Sequence, residues 1–368
     1  MFSQRLSGFV AMVVAIAIAT LSPQANAQME SPRPPSLGAI LGAIVQLEGL
    51  ALPEPVVSGR ETVPLDLLEE SRGVYTLELS IERPTGDRSG DRNPVLGRFL
   101  FDTGASTTLL SAPLRQRLGL VGTPVAPDGL AYAVAGKQCP TLTATRLTLP
   151  LLKIQDVTIR QLQALQFDQT LIPEGADGVL GMDVLAQFQV TVDPQQRRLS
   201  LGPPQPLSPA QRLQAIPLEV RSGVRLAQLW INAQGPFTVL VDTGADGTFI
   251  SGAVAKKLGL GGPSELGGAN RKPIQMLGFC GLEDAEQTHL NHVSLQSPLQ
   301  NPPPNYRQTS LDAVITDSSI LRTLGIDGVL GQNFLNQYRQ TWHLSKDKIS
   351  KDETQDKNWL VLELTQPR

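Results

Sequence analysis

Hydrophobic and polar residues alternate along several short segments of the chain, as they do in β-strands that bury one face. Residues 74–81 read VYTLELSI and residues 226–231 read LAQLWI, and both follow this two-residue period. A loop and a short apolar segment follow each of them, at residues 99–101 and 239–241. Long helical patterns are rare, so the sequence predicts an all-β protein.

A few short helices are also predicted. Residues 109–120 and 249–260 each contain a helix-like stretch that a glycine closes, a common way for a helix to end. Residues 183–188 and 333–338 indicate one or two helical turns each.

The chain contains an internal repeat. Residues 99–120 and 239–260 align without a gap at an offset of 140 residues, with 10 of 22 pairs identical. The sequence DGVLG then occurs at residues 177–181 and again at 327–331, an offset of 150. Because a fixed repeat indicates one structural unit used twice, we predict two lobes with the same architecture.

A Pro-rich stretch separates the two repeats. We assign residues 60–202 to the first lobe, residues 203–209 to the linker and residues 210–368 to the second lobe. Proline fixes the backbone, so the linker is expected to be stiff and extended.

The first 27 residues have the features of a signal peptide. Arg5 precedes an apolar run at residues 9–21, and Ala25-Asn26-Ala27 has the small-x-small pattern of a cleavage site. The run is shorter than the ~20 apolar residues that a membrane-spanning helix needs. We therefore expect an exported protein, periplasmic or secreted, with no stable membrane span once the signal is removed.

Residues 28–59 have two interpretations. They contain a small apolar run at residues 37–47, which is compatible with a short amphipathic helix. The segment is either an N-terminal strap on the first lobe or a propeptide that covers a cleft.

Composition and charge narrow the classes of function that the sequence indicates. The chain has 368 residues, 33 of them Gly and 29 Pro, and 31 basic residues against 34 acidic ones give a net charge of −3. Nucleic-acid binding is not indicated, because it calls for a basic excess clustered on one face. The many glycines and prolines fit a turn-rich β protein.

The same three residues follow an apolar strand in both repeats. They form the turns Asp102-Thr103-Gly104 and Asp242-Thr243-Gly244. If the lobes face each other, the two carboxyl groups converge and share one proton, because two carboxylates in contact cannot both ionise. Such a pair can take a proton from water and give one to a carbonyl oxygen, which is general acid–base hydrolysis.

At these residues the sequence resembles the aspartic peptidase family. Its active-site turn matches the two Asp-Thr-Gly motifs, and its hydrophobic-hydrophobic-Gly support motif matches residues 179–181 and 329–331, both Val-Leu-Gly. Two motif sets in one chain are similar to the pepsin arrangement, whereas the local sequence is more similar to retroviral proteases. The resemblance implies two pseudo-symmetric acid-protease β-barrel lobes of retropepsin type, with a cleft between them.

The resemblance also implies an activity and a set of residues. The expected protein is a monomeric aspartic endopeptidase that cuts peptides or proteins and needs no metal or organic cofactor. Asp102 and Asp242 activate water and polarise the scissile carbonyl. The remaining site residues fall in two groups, supports of the active-site turns (Thr103, Gly104, Thr243, Gly244) and substrate contacts (Ala105, Ala245, Asp246, Val179, Val329).

The sequence differs from the family pattern at two places, and each difference changes what we expect of the site. Gln332 stands where retroviral proteases usually have an Arg that pairs with the acid at Asp246, and Ser106 occupies the Asp246 position in the first lobe. We therefore expect a substrate-backbone contact by Asp246 without a counterpart in lobe one. Ala105 and Ala245 replace residues whose hydroxyl in pepsin-like enzymes lowers a catalytic pKa, so we expect a less acidic working range than pepsin's.

A peptidase of this type needs flaps that close over the substrate. Candidates are residues 130–148, with a tip at 133–136, and residues 272–292, with a tip at 277–281. Cys139 and Cys280 fall at nearly equivalent positions of the two repeats. They form a disulfide only if their Cα atoms come within ~7 Å, and the sequence leaves open whether they do or remain separate thiols.

The sequence lacks the motifs of other classes of hydrolase and of a structural zinc site. The sequence has no Gly-x-Ser-x-Gly or His-Glu-x-x-His pattern, the anchors of serine and metallo-hydrolases. His289, His292 and Cys280 do not reach the four ligands of a structural zinc site. The alternative to an endopeptidase is a catalytically silent peptide-binding protein on the same fold, since motif retention does not prove activity.

Overall fold

The computed structural model describes residues 37–68, 71, 73–84, 93–126, 130–136, 142–168, 172–260, 271–296, 305–344 and 358–365. The predicted signal peptide and Cys139 lie outside these residues.

The described part of the chain is built mainly of β-strands. Those that precede the Pro-rich stretch are β1 (Leu37–Ile40), β2 (Ile44–Gly49), β3 (Val56–Ser58), β4 (Glu61–Pro64), β5 (Asp66–Leu67), β6 (Tyr75–Ile81), β7 (Val95–Phe101), β8 (Leu109–Leu110), β9 (Thr123–Pro124), β10 (Leu130–Val134), β11 (Ala144–Thr148), β12 (Leu152–Ile154), β13 (Val157–Arg160), β14 (Gln163–Phe167), β15 (Gly178–Leu180), β16 (Gln189–Asp193) and β17 (Arg198–Gly202). Those that follow it are β18 (Ile216–Arg221), β19 (Val224–Ile231), β20 (Gln234–Val241), β21 (Thr248–Ile250), β22 (Lys272–Gly278), β23 (Gly281–Gln296), β24 (Asn305–Ile315), β25 (Gly328–Leu330), β26 (Tyr338–His343) and β27 (Asn358–Leu364).

The helices of the described residues are all short. They are α1 (Ala112–Leu118), α2 (Met182–Leu185), α3 (Pro209–Gln214), α4 (Gly252–Lys257), α5 (Ser319–Leu324) and α6 (Gln332–Leu335). No helix within the described ranges is long and apolar enough to cross a membrane.

The alternating segments and the predicted helical stretches are confirmed. The patterns at residues 74–81 and 226–231 correspond to β6 and β19, and the four predicted helical stretches overlap α1, α2, α4 and α6, of which α2 and α6 begin one residue earlier than predicted. Local capping explains α1 and α4, because Ser111 and Ser251 each accept a hydrogen bond from a backbone N–H of the first turn. Gly119 ends α1 in the left-handed region at φ 61°, which suits glycine.

The helix considered for residues 37–47 is wrong. These residues form β1 and β2, with residues 41–43 between them. β1 pairs with β22 in parallel, and β2 pairs with β10 in antiparallel orientation. Glycine at positions 38 and 42 weakens a helix, and the two strand edges supply the backbone partners that a helix would otherwise provide internally.

The two repeats fold alike. In each, an antiparallel hairpin of two strands leads into the Asp-Thr-Gly turn, β6–β7 in the first and β19–β20 in the second. A short strand then pairs in parallel with the end of that hairpin, β15 with β7 and β25 with β20. The fold is thus all-β, with two pseudo-symmetric lobes.

A sheet shared by both repeats joins the lobes. Its strands follow the order β4-β17-β16-β26-β27-β18, so strands from before and after the Pro-rich stretch lie side by side. β16 and β26 meet at its centre, where Thr191 pairs with Thr341. These two residues are 150 positions apart, the offset of the second repeated motif, so the pseudo-twofold axis passes between them.

The N-terminal segment divides at an exposed connection. Residues 56–58 form β3, which pairs with β13 in the first lobe, and residues 61–64 form β4 in the shared sheet. Between β2 and β3, Ala51, Pro53 and Glu54 are exposed, whereas Leu52 is half-buried against an apolar cluster of lobe one and Pro55 is buried. Residues before this connection are therefore attached to the lobes differently from those after it.

Candidate active site

Paired strands place the two aspartates. Asp102 follows β7 and Asp242 follows β20. The backbone N–H of Asp102 donates to the Leu180 carbonyl at 3.2 Å, and that of Asp242 donates to the Leu330 carbonyl at 3.0 Å. The Val-Leu-Gly motifs therefore hold the start of each active-site turn, as the sequence indicated.

Each Val-Leu-Gly motif needs its glycine because there is no room for a side chain at that position. A Cβ atom on Gly181 would lie 2.7 Å from the Thr107 carbonyl carbon, and one on Gly331 would lie 2.1 Å from the Gly247 carbonyl oxygen. Any larger residue would push the turn away from the motif beneath it.

The two threonines connect the turns across the pseudo-twofold axis. The Thr103 hydroxyl donates to the Val241 carbonyl at 2.9 Å and accepts the Thr243 N–H at 3.1 Å. The Thr243 hydroxyl donates to the Phe101 carbonyl at 2.9 Å and accepts the Thr103 N–H at 3.0 Å. Each threonine is at most 1% exposed, so four buried backbone groups depend on these two hydroxyls.

The structure brings the two aspartates together. A Cβ atom on Gly104 would lie 2.4 Å from Asp242 Cγ, and one on Gly244 would lie 2.4 Å from Asp102 Cγ. Each carboxyl group thus packs against the glycine of the opposite turn, where the absence of a side chain makes room for it.

Backbone donors hold one oxygen of each carboxyl group. Asp102 Oδ1 accepts from Gly104 N at 2.7 Å and Ala105 N at 3.0 Å, and Asp242 Oδ1 accepts from Gly244 N at 2.7 Å. The Oδ2 atoms of both residues are buried and have no donor among the described residues. Both carboxyl groups are fully buried. Their two Oδ2 atoms can therefore interact favourably with each other only if the pair carries a proton.

Burial raises the pKa of both carboxyl groups, that of Asp102 well above its usual range. For Asp102, the neighbouring charge of Asp242 raises the pKa further. The proton belongs to the pair rather than to one residue. A pair that keeps one proton can act as base through one member and as acid through the other.

The four apolar residues assigned to substrate contact lie beside the turns. Ala105 and Val179 belong to one apolar cluster, and Ala245 and Val329 belong to another. Both clusters also contain side chains of residues 39–45. The four positions therefore share apolar clusters with residues 39–45 of the same chain, and their contact with substrate stays a prediction.

Asp246 and Ser106 both contact the N-terminal segment. Asp246 Oδ1 accepts from Ile40 N at 2.8 Å, while Ser106 Oγ accepts from Gln46 N at 2.8 Å. Ser106 thus binds a backbone N–H from the position in lobe one that matches Asp246, through a hydroxyl rather than a carboxylate. A contact of Asp246 with substrate stays a prediction. Gln332 donates its side-chain amide to the Thr243 carbonyl at 3.0 Å and so supports the second turn.

Two strand segments cover the site as flaps. β22 and β23 form the predicted hairpin of lobe two, and β10 covers lobe one. The tips meet where Phe279 N donates to the Ala135 carbonyl at 2.9 Å. Residues 144–148, included in the predicted lobe-one flap, instead form β11, which pairs with β14 and β9 in the body of the lobe.

The second flap carries Cys280 at its turn, where it is disulfide-bonded; Cys139 lies outside the described residues. Further along this flap, His289 lies 3.1 Å from the Asp312 carboxylate, and His292 lies 3.1 Å from the Arg307 guanidinium. Within the described ranges, no three His, Cys, Asp or Glu side chains form a group that could hold a metal ion.

The predicted flap tips contain Ala135 and Leu277, and a propeptide that covers a cleft was one of the two interpretations of residues 28–59. The individual residues of that segment that lie at the site were not predicted. The alternation of aliphatic residues with Gly38 and Gly42 was a usable signal, because it is compatible with a strand. The partner strands are distant in sequence, so only the fold identifies them.

The chain is similar to known aspartic proteases. A family model described as "Aspartyl protease" matches residues 88–184 and 227–334. Among solved structures, an aspartic proteinase from Irpex lacteus is 13% identical, with 83% of this chain and 97% of that chain covered at a TM-score of 0.46. No curated protein matches the chain. The two matched segments contain both Asp-Thr-Gly turns and both Val-Leu-Gly motifs.

Proposed function

Because the chain belongs to the aspartyl protease family, we propose that it is an exported, monomeric endopeptidase that uses Asp102 and Asp242 to hydrolyse peptide bonds. One observation carries the proposal: each carboxyl group packs against the glycine of the opposite turn, 2.4 Å from where a Cβ atom would lie. This contact supports a single acid–base pair built from both lobes.

In the proposed reaction the pair begins with one proton. Its ionised member takes a proton from a water molecule, whose oxygen attacks the scissile carbonyl carbon, while its protonated member donates to the carbonyl oxygen. The tetrahedral intermediate then collapses as the C–N bond breaks and a proton passes to the leaving amine. The pair ends with one proton, and no covalent intermediate forms on the protein.

The dyad is tested by digesting a peptide library with the purified chain across pH 2–8, read by mass spectrometry. We expect internal cleavage, and Asp102→Asn and Asp242→Asn should each reduce it at least 10³-fold, because a dyad needs both members. Asp156→Asn is the matched control, since Asp156 is exposed in the β12–β13 turn. If Asp102→Asn keeps most of the activity, the single-dyad mechanism is wrong. Peptide binding without any cleavage would identify a silent binding protein instead.

Export is proposed from the sequence of residues 1–27. Fusing these residues to a reporter that is active only outside the cytoplasm should give signal, and deleting the apolar run at residues 9–21 should abolish it. A reporter that stays inactive in the intact fusion would exclude export by this segment.

A further inference from the structure

A pocket of about 300 Å³, here called the lobe-two pocket, lies beside the active-site turn of the second repeat. Asp246, four residues after Asp242, lines it together with Gly247. The rest of its wall comes from β23 and β24, from Asn333 of α6 and from Ala39 of β1. Its volume falls in the range of small-ligand sites, so it has room for a side chain of a bound peptide.

Strands β23 and β24 place a polar pair in the wall of the lobe-two pocket. His289 and Asp312 lie opposite each other, and His289 Nδ1 is 3.1 Å from Asp312 Oδ1. Asp312 Oδ2 accepts the Gln287 side-chain amide at 3.0 Å, and the Asp312 backbone carbonyl accepts the Asn333 side-chain amide at 2.8 Å. These bonds hold the Asp312 carboxylate in position, and because its side chain is still 57% exposed, it can contact a ligand.

The charge of the lobe-two pocket is negative. Among the described residues that line it are two acids, Asp246 and Asp312, and no lysine or arginine. His289 is charged only when it is protonated. Asp246 is 3% exposed, and salt screens a buried charge less than an exposed one. A positively charged group is therefore favoured inside the pocket.

One hydrogen-bond acceptor in the wall has no donor. Gln308 Oε1 is buried and has no hydrogen-bond partner among the described residues, and Gln308 lines the pocket. A buried acceptor without a donor costs free energy. The ammonium group of lysine and the guanidinium group of arginine carry N–H donors and no acceptor. Such a group would satisfy this oxygen and the two carboxylates at the same time.

Strand β14 is the counterpart of β24 in lobe one. Leu165 of β14 pairs in parallel with β8, as Val314 of β24 pairs with β21. The paired residues of β8 and β21 are 140 positions apart, the offset of the repeat. Gln163 lies two positions before Leu165, and Asp312 lies two positions before Val314, so Gln163 matches Asp312.

Both acids of the lobe-two pocket thus have neutral counterparts. Gln163 matches Asp312, and Ser106 matches Asp246. Lobe one forms the same strands without either charge, so the fold does not require the two acids. They make one end of the site negative and leave the other end neutral.

We propose that the lobe-two pocket binds the cationic end of a lysine or arginine side chain, which the carboxylates of Asp312 and Asp246 attract and Gln308 Oε1 bonds. Because lobe one lacks both acids, the pocket selects peptides with a cationic residue on one side of the bond to be cut. This selection rests on the proposed function, whereas the binding of the cation does not.

The binding test compares two small ligands of similar shape on the unaltered chain. n-Butylguanidinium has the head group of an arginine side chain, and n-butylurea has the same carbon chain and a planar head group without the charge. Binding is measured at pH 8 from the NMR shifts of the side-chain amides of Gln287, Gln308 and Asn333. We expect n-butylguanidinium to give saturable shifts and to bind at least 10-fold more tightly than n-butylurea. Equal binding, or no saturable shift with n-butylguanidinium, would overturn the proposal.

Asp312→Asn removes one charge and keeps the size of the side chain. It should weaken the binding of n-butylguanidinium at least 5-fold and change that of n-butylurea less than 2-fold. Asp156→Asn is the matched control, since Asp156 is exposed in lobe one, and it should bind both ligands as the unaltered chain does. Equal weakening of both ligands by Asp312→Asn would contradict attraction of the cation by this carboxylate. The comparison on the unaltered chain decides the matter if the variant does not fold.

Peptide cleavage tests the selection. The substrates are aliphatic peptides with one lysine placed at each position in turn, and a second set has glutamate instead. We expect cleavage to be at least 10-fold faster with lysine at one fixed distance from the cut bond, on one side only, and Asp312→Lys should shift this preference to glutamate. If n-butylguanidinium binds as expected but no peptide is cut, the proposed function fails and the pocket stands. Cleavage without a preference for lysine, or a preference that Asp312→Lys leaves unchanged, would overturn the selection.

Discussion

Two glycines allow the carboxyl groups of Asp102 and Asp242 to face each other. Gly104 and Gly244 have no side chain at the point where the opposite carboxyl group lies. Their role is therefore steric. A residue without a side chain is needed both within each turn and where the carboxyl group of the other lobe packs against it.

Replacing Gly244 with Ala should disable the site. The added Cβ would lie 2.4 Å from Asp102 Cγ, so the turns must separate, at a cost of roughly 1–3 kcal/mol as for other overpacked sites. We expect hydrolysis to fall at least 10²-fold and the melting temperature to drop. Gly202→Ala is the control, since its Cβ would have no neighbour closer than 4.0 Å. Unchanged hydrolysis in Gly244→Ala would show that the turns tolerate separation.

The buried carboxyl pair should make stability depend on pH. Folding raises the pKa of Asp242 through burial, so the stability contributed by its protonated form is complete below the unfolded pKa of ~4 and is lost as pH rises through the raised folded-state value. Asp242→Asn should therefore raise the melting temperature by roughly 2 °C or more at pH 7, with little gain at pH 3. Differential scanning calorimetry at both pH values, with Asp156→Asn as the exposed control, measures this. An equal gain at both pH values would assign the effect to something other than ionisation.

The same residues are expected to influence the pH at which the chain hydrolyses peptides. Ala105 and Ala245 provide no hydroxyl to either carboxyl group, and burial raises both pKa values. We expect the optimum for hydrolysis above about pH 3, near which the pepsin pair titrates. A rate profile over pH 2–8 checks this, and an optimum below about pH 3 would contradict it.

At the scale of elements, the active-site turns behave as one unit because each threonine hydroxyl serves the backbone of the other turn. The pairs Thr103–Val241 and Thr243–Phe101 join the end of one strand to the turn of the other lobe. The precise placement of the aspartates thus depends on an element in each lobe.

Thr243→Val should weaken this connection. Valine keeps the shape but leaves the Phe101 carbonyl and the Thr103 N–H buried without a partner, at roughly 1–3 kcal/mol for each. We expect a lower melting temperature and a loss of hydrolysis, whereas Thr243→Ser, which keeps the hydroxyl, should retain most of both. Equal loss in the two variants would show that the methyl group, not the hydroxyl, matters.

In the molecule as a whole, both candidate aspartates of the pair come from one chain. The shared sheet places strands of both repeats side by side, with Thr191 opposite Thr341 at its centre. Each lobe contributes one aspartate, one threonine and one flap, so neither lobe is complete without the other.

The number of sites per chain is therefore predicted to be one. Titration of the chain with a tight transition-state analogue should saturate at one molecule per chain, and the active species should have a monomeric mass. Saturation at one analogue per two chains, together with a dimeric mass, would contradict a site completed within one chain.

Features that are local or repeated could be predicted from the sequence. The Asp-Thr-Gly turns, the serine-capped helices and the alternating strands follow from short-range spacing, and the repeat implied a pair of aspartates from two copies of one lobe. Capping by Ser111 and Ser251 does not depend on how the lobes are arranged, because each serine accepts a hydrogen bond from the first turn of the helix that follows it.

Which residues lie between the flaps and the active-site turns depends on pairing between distant segments. Residues 37–47 read locally as a short helix, but the free edges of β10 and β22 pair with them as strands, and backbone pairing between distant segments leaves little trace in the sequence of either. The same reason hid the contact of Ser106 with Gln46. The aspartates could be predicted from the sequence because their chemistry requires a motif. The sequence left open whether residues 28–59 are a strap or cover the cleft, because backbone pairing requires no motif.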